Sequence, residues 1–289
     1  MKATISLILG LLSSLLRVES RNTNINLAPQ QEEGYAGVST FATAAAPAPP
    51  TNVKLAYHGG QLTSGNVNFQ VVYVGSAPPD PAFQANVTQF LTDLPQITSF
   101  WSVMPQYSTQ AKASITGVAG VTNKQWNVTS GTLQTADIDK YIASTFAGTK
   151  FTTSDIIIFM LAPDMGMAMS SIYQGKQQTA STCVDFCGVH MTTGTTNMVA
   201  YAVLPSFTGW PCNVGCHATG ASGGLDPFQA TTLTLGHELA ELFTDTFPNL
   251  NTTKPGFFVD TAGTFNGMEI GDICQNYAVK SPTADGSKF

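Results

Sequence analysis

One stretch, Leu235-Gly236-His237-Glu238-Leu239-Ala240-Glu241-Leu242-Phe243, sets the strongest constraint on what this chain can fold into. Its apolar spacing predicts a helix. His237 and Glu241 are four residues apart and therefore lie one above the other on one face. Glu238 stands about 100° further round at 3.6 residues per turn. Leu235, Leu239 and Leu242 fall on the other side, where they can pack inward. This is the layout of H-E-x-x-H, in which two ligands on one helical face hold zinc and the intervening Glu acts as general base. Glu occupies the second ligand position here, and a carboxylate oxygen is an acceptable zinc ligand.

The chain has four His, and beyond position 52 only three Glu, which are Glu238, Glu241 and Glu269. Carboxylates serving only to solubilise a surface would not gather at one motif. The competing reading is a solvated helix face carrying a His237/Glu241 pair. Upstream, Asp226 followed by Pro227 supplies an N-cap and first-turn pair for this helix. Downstream, Gly267-Met268-Glu269-Ile270-Gly271-Asp272-Ile273-Cys274 offers two more carboxylates bracketed by glycines. Zinc sites of this kind take a third ligand from a later segment. Glu269 is the first choice and Asp272 the second; a turn cap at Asp272 is the alternative.

The flanking sequence places this motif in a secreted chain. Lys2 precedes a short apolar run from Ala3 to Leu16, with Val18 and Ser20 before a cut at Arg21, so residues 1–20 read as a signal peptide. That run is too short for a membrane span, and no later segment is long enough either. Residues 21–52 contain Ala44-Ala45-Ala46-Pro47-Ala48-Pro49-Pro50 and read as a linker, an extended arm or a pro-segment. The remaining residues, 53–289, are expected to form one domain. The composition is 43% apolar but only 10% charged, which provides a core with few surface charges. A net charge of −6 and the absence of any Lys/Arg cluster exclude a nucleic-acid partner. Oligomeric state leaves no mark in the sequence. The sequons at Asn86, Asn127 and Asn251 are glycosylation candidates.

Within the domain, alternation predicts strands over Val53–Tyr57, Asn66–Val74, Ser99–Tyr107, Ala113–Val121 and Asn197–Leu204. Ser154–Leu161 is the most apolar run and is expected to be a central strand. Helical spacing marks Ala82–Asp93 and Thr135–Ile142. These elements interleave without a regular βαβ rhythm, so the fold class is α+β with a mixed sheet. Met160, Met165, Met167 and Met169 read as gap-filling core and loop rather than a copper site.

Five Cys, at 183, 187, 212, 216 and 274, occur in a secreted context that favours disulfides. Fifteen connectivities are open if one Cys is left over. The two C-x₃-C segments suggest local pairs, Cys183 with Cys187 and Cys212 with Cys216, leaving Cys274. A Cys/His zinc site using His190 and His217 is the less favoured alternative.

Several of these motifs together resemble the phosphate-induced protein (EXORDIUM-like) family of secreted proteins. They are Tyr57-His58-Gly59-Gly60, Phe186-Cys187-Gly188-Val189-His190, Cys212-Asn213-Val214-Gly215-Cys216 and the helix end Leu242-Phe243-Thr244-Asp245. The resemblance covers most of residues 53–275. It is closest to the microbial type, which carries a His-Glu-x-x-Glu helix and a later Glu-x-x-Asp-x-Cys, here Glu269, Asp272 and Cys274. It implies an extracellular or cell-wall location. The chain departs from the family at Asp245-Thr246-Phe247-Pro248 and ends before the family's customary C-terminal segment.

The expectation is a single zincin-like domain with disulfide-stabilised loops, acting as a zinc-dependent metallohydrolase on a peptide or protein. His237 and Glu241, with Glu269 or Asp272, would be the metal ligands and Glu238 the catalytic base. The alternative is a non-enzymatic extracellular or wall-associated growth protein whose metal site is degenerate.

Overall fold

The strand Gly65–Gly75 (β3) alternates Val67, Phe69, Val71 and Tyr73 with Val72 and Val74, and the two sets enter two different cores. A strand buried on both faces belongs inside a layered sheet. The computed structural model describes residues 37–39, 55–97, 104, 106–107, 115–173, 176–194, 197–209, 211–216, 225–248, 254–259 and 269–274. Its main sheet has six strands in the order β1-β9-β10-β6-β3-β4. These are Gly37–Ser39 (β1), Ile115–Asn127 (β4), Asp155–Leu161 (β6), Gly188–Thr193 (β9) and Val199–Leu204 (β10), together with β3; the short strand Ala56–Tyr57 (β2) pairs apart from it with Phe257–Phe258. The four strands β10, β6, β3 and β4 run parallel, while β9 and β1 close one end antiparallel. The sheet is therefore mixed and the fold α+β. Asp155–Leu161 lies in its interior, paired on both edges, as its continuous apolar run requires.

Helices Pro81–Asp93 (α1) and Pro227–Thr244 (α4) cover one face, through Val87, Phe90 and Leu91 of the first and Leu235, Leu239, Leu242 and Phe243 of the second. The other face packs on Thr135–Thr145 (α2), through Ile138 and Ile142, and on a small sheet. That sheet orders Gly131–Gln134 (β5), Met165–Tyr173 (β7) and Lys176–Ser181 (β8) side by side. Met160, Met165 and Met167 are buried, so the Met-rich run is core material. The strands β7, β8 and β9 lack the β-branched alternation that marks strands in sequence, and composition alone does not reveal them. The strand expected over Ser99–Tyr107 falls mostly outside the described residues, and Gln106 and Tyr107 are helical. Most of residues 1–52 also lie outside them, apart from the backbone of β1.

The disulfides correct the local pairing. Cys183 joins Cys212 and Cys187 joins Cys216, with Cα separations of 4.6 and 5.5 Å. The physical reason is a helical turn, Cys212–Gly215 (α3). Cys212 and Cys216, four apart across that turn, stand on one side of it and meet Cys183 and Cys187 of the facing segment. All four of these Cys are thereby consumed, which removes the Cys/His zinc alternative; His217 lies outside the described residues. The two bridges hold the segment leading into β9 against α3. No helix among the described residues is long and apolar enough to cross a membrane. Disulfides and this lack of a spanning helix are compatible with an extracellular protein.

Candidate metal centre

Helix α4 is fixed at both ends before it presents any chemistry. At its start the Asp226 carboxylate accepts hydrogen bonds from the Phe228 and Gln229 backbone N–H groups, each at 2.9 Å, and the Gln229 side chain returns to Asp226 N. This capping box and Pro227 satisfy the orphan donors of the first turn. Near its end Thr63 Oγ1 donates to the Leu242 carbonyl at 3.0 Å. Between these anchors the polar face points inward. His237 is 8% exposed, and Glu238 and Glu241 are 0% exposed. Such burial rules out a solvated helix face.

The helix Ile270–Cys274 (α5) lies against this face. It brings Asp272 Oδ1 to 3.7 Å from His237 Nε2, while Glu241 Oε1 stands 3.1 Å from the same nitrogen. His237, Glu241 and Asp272 thus converge in one group able to hold a metal ion. Gly271 makes this approach possible, because a Cβ there would meet the Glu241 carboxylate and the His237 ring. The Asp272 N–H donates to Glu241 Oε1 at 3.1 Å and orients that carboxylate. Glu269 sits just before α5, buried, and does not join this group; its Oε2 lies 3.4 Å from His190 Nε2.

His190 is the residue that motif reading did not place here. It lies on β9, whose register sets it opposite Ala202 of β10, and Ala202 belongs to the core beneath α4. Strand parity therefore aims the imidazole at the helix and sends Val189 to the other core. His190 Nδ1 stands 3.3 Å from Glu238 Oε2 and 3.1 Å from Glu241 Oε2. A second convergent group results, made of His190, Glu238 and Glu241. The sequence signal was a histidine inside Gly188-Val189-His190-Met191, a strand whose parity cannot be assigned until its partner is known. Asp245, the C-cap residue of α4, is also buried beside the cluster.

Five carboxylates (Glu238, Glu241, Asp245, Glu269 and Asp272) thus gather around two imidazoles, all buried except Asp272, whose side chain is 17% exposed. Burial raises the Asp245 and Asp272 carboxyls well above their ordinary range, with neighbouring carboxylates adding to the effect. Burial also raises Glu238 and Glu269, although His190 works against it. Burial opposes charge on His237, yet Glu241, Glu238 and Asp272 outweigh it and push the imidazole up to about 10. The same contest at His190 ends well above its usual value, through Glu269, Glu238 and Glu241. Glu241 is drawn down to about 2, because His237 and His190 overcome its burial. Without a cation, the cluster is accommodated by keeping protons on carboxyls and imidazoles that would otherwise release them.

Hydrogen bonding does not complete it. His190 Nε2, His237 Nε2, Glu238 Oε1, Glu241 Oε2, Asp245 Oδ1 and Glu269 Oε1 are buried without a hydrogen-bond partner among the described residues. Native proteins rarely leave such atoms orphaned unless an ion or water meets them. Several lie at ion-pair distance yet off the hydrogen-bond axis. Two ligand atoms about 2.1 Å from one tetrahedral ion stand about 3.4 Å apart, and the facing ligand atoms here are 3.1–3.7 Å apart. The buried His and Glu groups could hold a metal ion.

No family model matches the chain, and no curated protein matches it. Of the glycosylation candidates, Asn86 on α1 and Asn127 at the end of β4 are exposed, and Asn251 lies outside the described residues.

Proposed function

We propose that the chain is a secreted zinc-dependent metallohydrolase of the peptidase type. The observation that carries this reading is the convergence of His237 Nε2, Glu241 Oε1 and Asp272 Oδ1 in a largely buried cluster where His237 Nε2, Glu238 Oε1 and Glu241 Oε2 have no hydrogen-bond partner among the described residues. These three groups would hold the ion. When bound, zinc supplies Lewis-acid polarisation of a carbonyl oxygen and lowers the pKa of water. Glu238, one residue beyond His237, is the base: burial raises its affinity for a proton towards the range a general base needs. Glu238 Oε2 faces His190 Nδ1 at 3.3 Å, which leaves the other oxygen free. Glu238 Oε1, without a hydrogen-bond partner among the described residues, is the atom left to accept the proton.

The edge of β9 favours an extended peptide as the substrate class. Gly37–Ser39 of this chain pairs antiparallel along that edge, with Gly37 opposite His190. A peptide taking the place of Gly37–Ser39 on that edge would carry its backbone past the centre, with main-chain hydrogen bonds giving affinity. The resemblance to EXORDIUM-like proteins adds an extracellular or cell-wall setting to this reading. The test is hydrolysis of a mixed peptide library by the zinc-loaded chain beside Glu238→Gln. Cleavage by the wild type and its loss in the variant, with the ion at His237, Glu241 and Asp272 retained, is expected.

A second reading is favoured by one observation, the complete burial of Glu238 and Glu241. The ion would then be structural, tying α5 to α4 in a non-enzymatic wall-associated protein. Metal binding without cleavage of any peptide by either protein would favour it.

A further inference from the structure

Glu241 turns its two oxygens to two different imidazoles. Oε1 stands 3.1 Å from His237 Nε2, and Oε2 stands 3.1 Å from His190 Nδ1. Each imidazole faces a further carboxylate of its own, Asp272 beside His237 and Glu238 beside His190. We infer that the cluster is a binuclear centre in which Glu241 bridges two divalent cations, one held with His237 and Asp272, the other with His190 and Glu238. This rests on the metal-centre reading above and adds a second ion to it.

Three observations support the second position independently of the helix motif. Its ligands come from β9 as well as α4, so it does not follow from His-Glu-x-x-Glu spacing. Its members are fully buried, and Glu238 Oε1 and Glu241 Oε2 have no hydrogen-bond partner among the described residues. The remaining nitrogen of His190, Nε2, lies 3.4 Å from Glu269 Oε2. A ligating histidine commonly gives its other N–H to a carboxylate, which fixes the tautomer and raises its basicity. Glu269 would therefore orient His190 rather than bind the ion.

Paired metal ions bridged by a carboxylate sit about 3.5–4 Å apart and clamp both the attacking and the leaving oxygen of a displacement. Nitrogen with carboxylate oxygen suits zinc or manganese at each position. Glu238 would commit Oε2 to its ion and keep Oε1 for the proton, so its role as base survives.

The experiment is equilibrium dialysis of the full secreted chain against excess zinc chloride, followed by elemental analysis, with thermal melts confirming the fold. Two zinc per wild-type chain, falling to one in His190→Ala and in Glu238→Gln, is expected. One zinc in the wild type, or two retained in His190→Ala, overturns the second position and leaves the first reading intact. No zinc in the wild type overturns both. Should His190→Ala fail to fold, manganese-loaded wild type decides by electron paramagnetic resonance. An exchange-coupled pair supports the bridge, and isolated manganese signals refute it.

Discussion

A Cβ placed on Gly271 would stand 2.6 Å from Glu241 Oε1, closer than any real Cβ approaches an oxygen. The backbone of α5 is thus pressed onto the carboxylate at the middle of the cluster, and only glycine permits it. Gly271→Ala must push α5 or Glu241 aside. We expect a loss of about 1–3 kcal/mol in stability from overpacking and weaker zinc binding, read by chemical denaturation and by zinc titration. Unchanged affinity would show that Asp272 and Glu241 need not share a site.

Acid and alkali act on the metal-free chain through different residues. His237 is raised to about 10, so its contribution is fully present below its unfolded value near 6.5 and is lost as pH rises through 10. Carboxyls raised by burial, such as Asp272 and Glu269, act in the same direction, because ionising them in the fold is unfavourable. Glu241, lowered to about 2, contributes above its unfolded value and loses that as pH falls through 2. The metal-free Tm should therefore fall as pH rises from about 6.5 to 10, and zinc should flatten the fall by supplying the missing positive charge. Thermal melts with and without chelator check both limbs.

The disulfides make a distinct forecast. Peptide mapping of the unreduced protein should give Cys183 linked to Cys212 and Cys187 to Cys216, and no link within either C-x₃-C segment. Each bridge spans 29 residues. Removing both should cost about 3–4 kcal/mol by loop-closure entropy, since the second bridge closes nearly the same loop as the first. Because β9 begins immediately after Cys187, the double loss should also weaken metal binding through His190.

Helix α4 offers two substitutions of opposite sign. Asp226→Ala removes the cap that accepts two backbone hydrogen bonds and should cost about 1 kcal/mol. Gly236→Ala adds a methyl that meets nothing within 4 Å and should stabilise by about 0.5–1 kcal/mol, as expected for glycine in a helix interior. Denaturant midpoints of the two variants should move in opposite directions.

What was legible in the sequence follows the range of the interactions. The helix carrying His237, Glu238 and Glu241, its Asp226-Pro227 start and the apolar strand Asp155–Leu161 are local patterns, and each stands where its pattern put it. Glu269 and Asp272 stand near each other in the chain, and only three-dimensional packing sorts them, with Asp272 beside His237 and Glu269 beside His190. His190 enters the sequence reading only as a candidate partner of the Cys pairs, not of the helix. Its role depends on which face of β9 meets α4, and that is set by pairing with β10 and not by its neighbours in sequence. The disulfide pairing failed for a related reason: four-residue spacing looks local in a string, but on a helical turn it aligns two thiols towards another segment.

The central claim is that the buried cluster of imidazoles and carboxylates is a metal centre. Metal content of the purified chain, measured for wild type, His237→Ala and Glu241→Ala with matched circular dichroism, tests it most directly. Zinc should accompany the wild type and be strongly depleted in both variants, more so in Glu241→Ala, where both positions lose a ligand. Wild type that folds identically yet takes up no metal from a zinc-containing buffer would contradict the account.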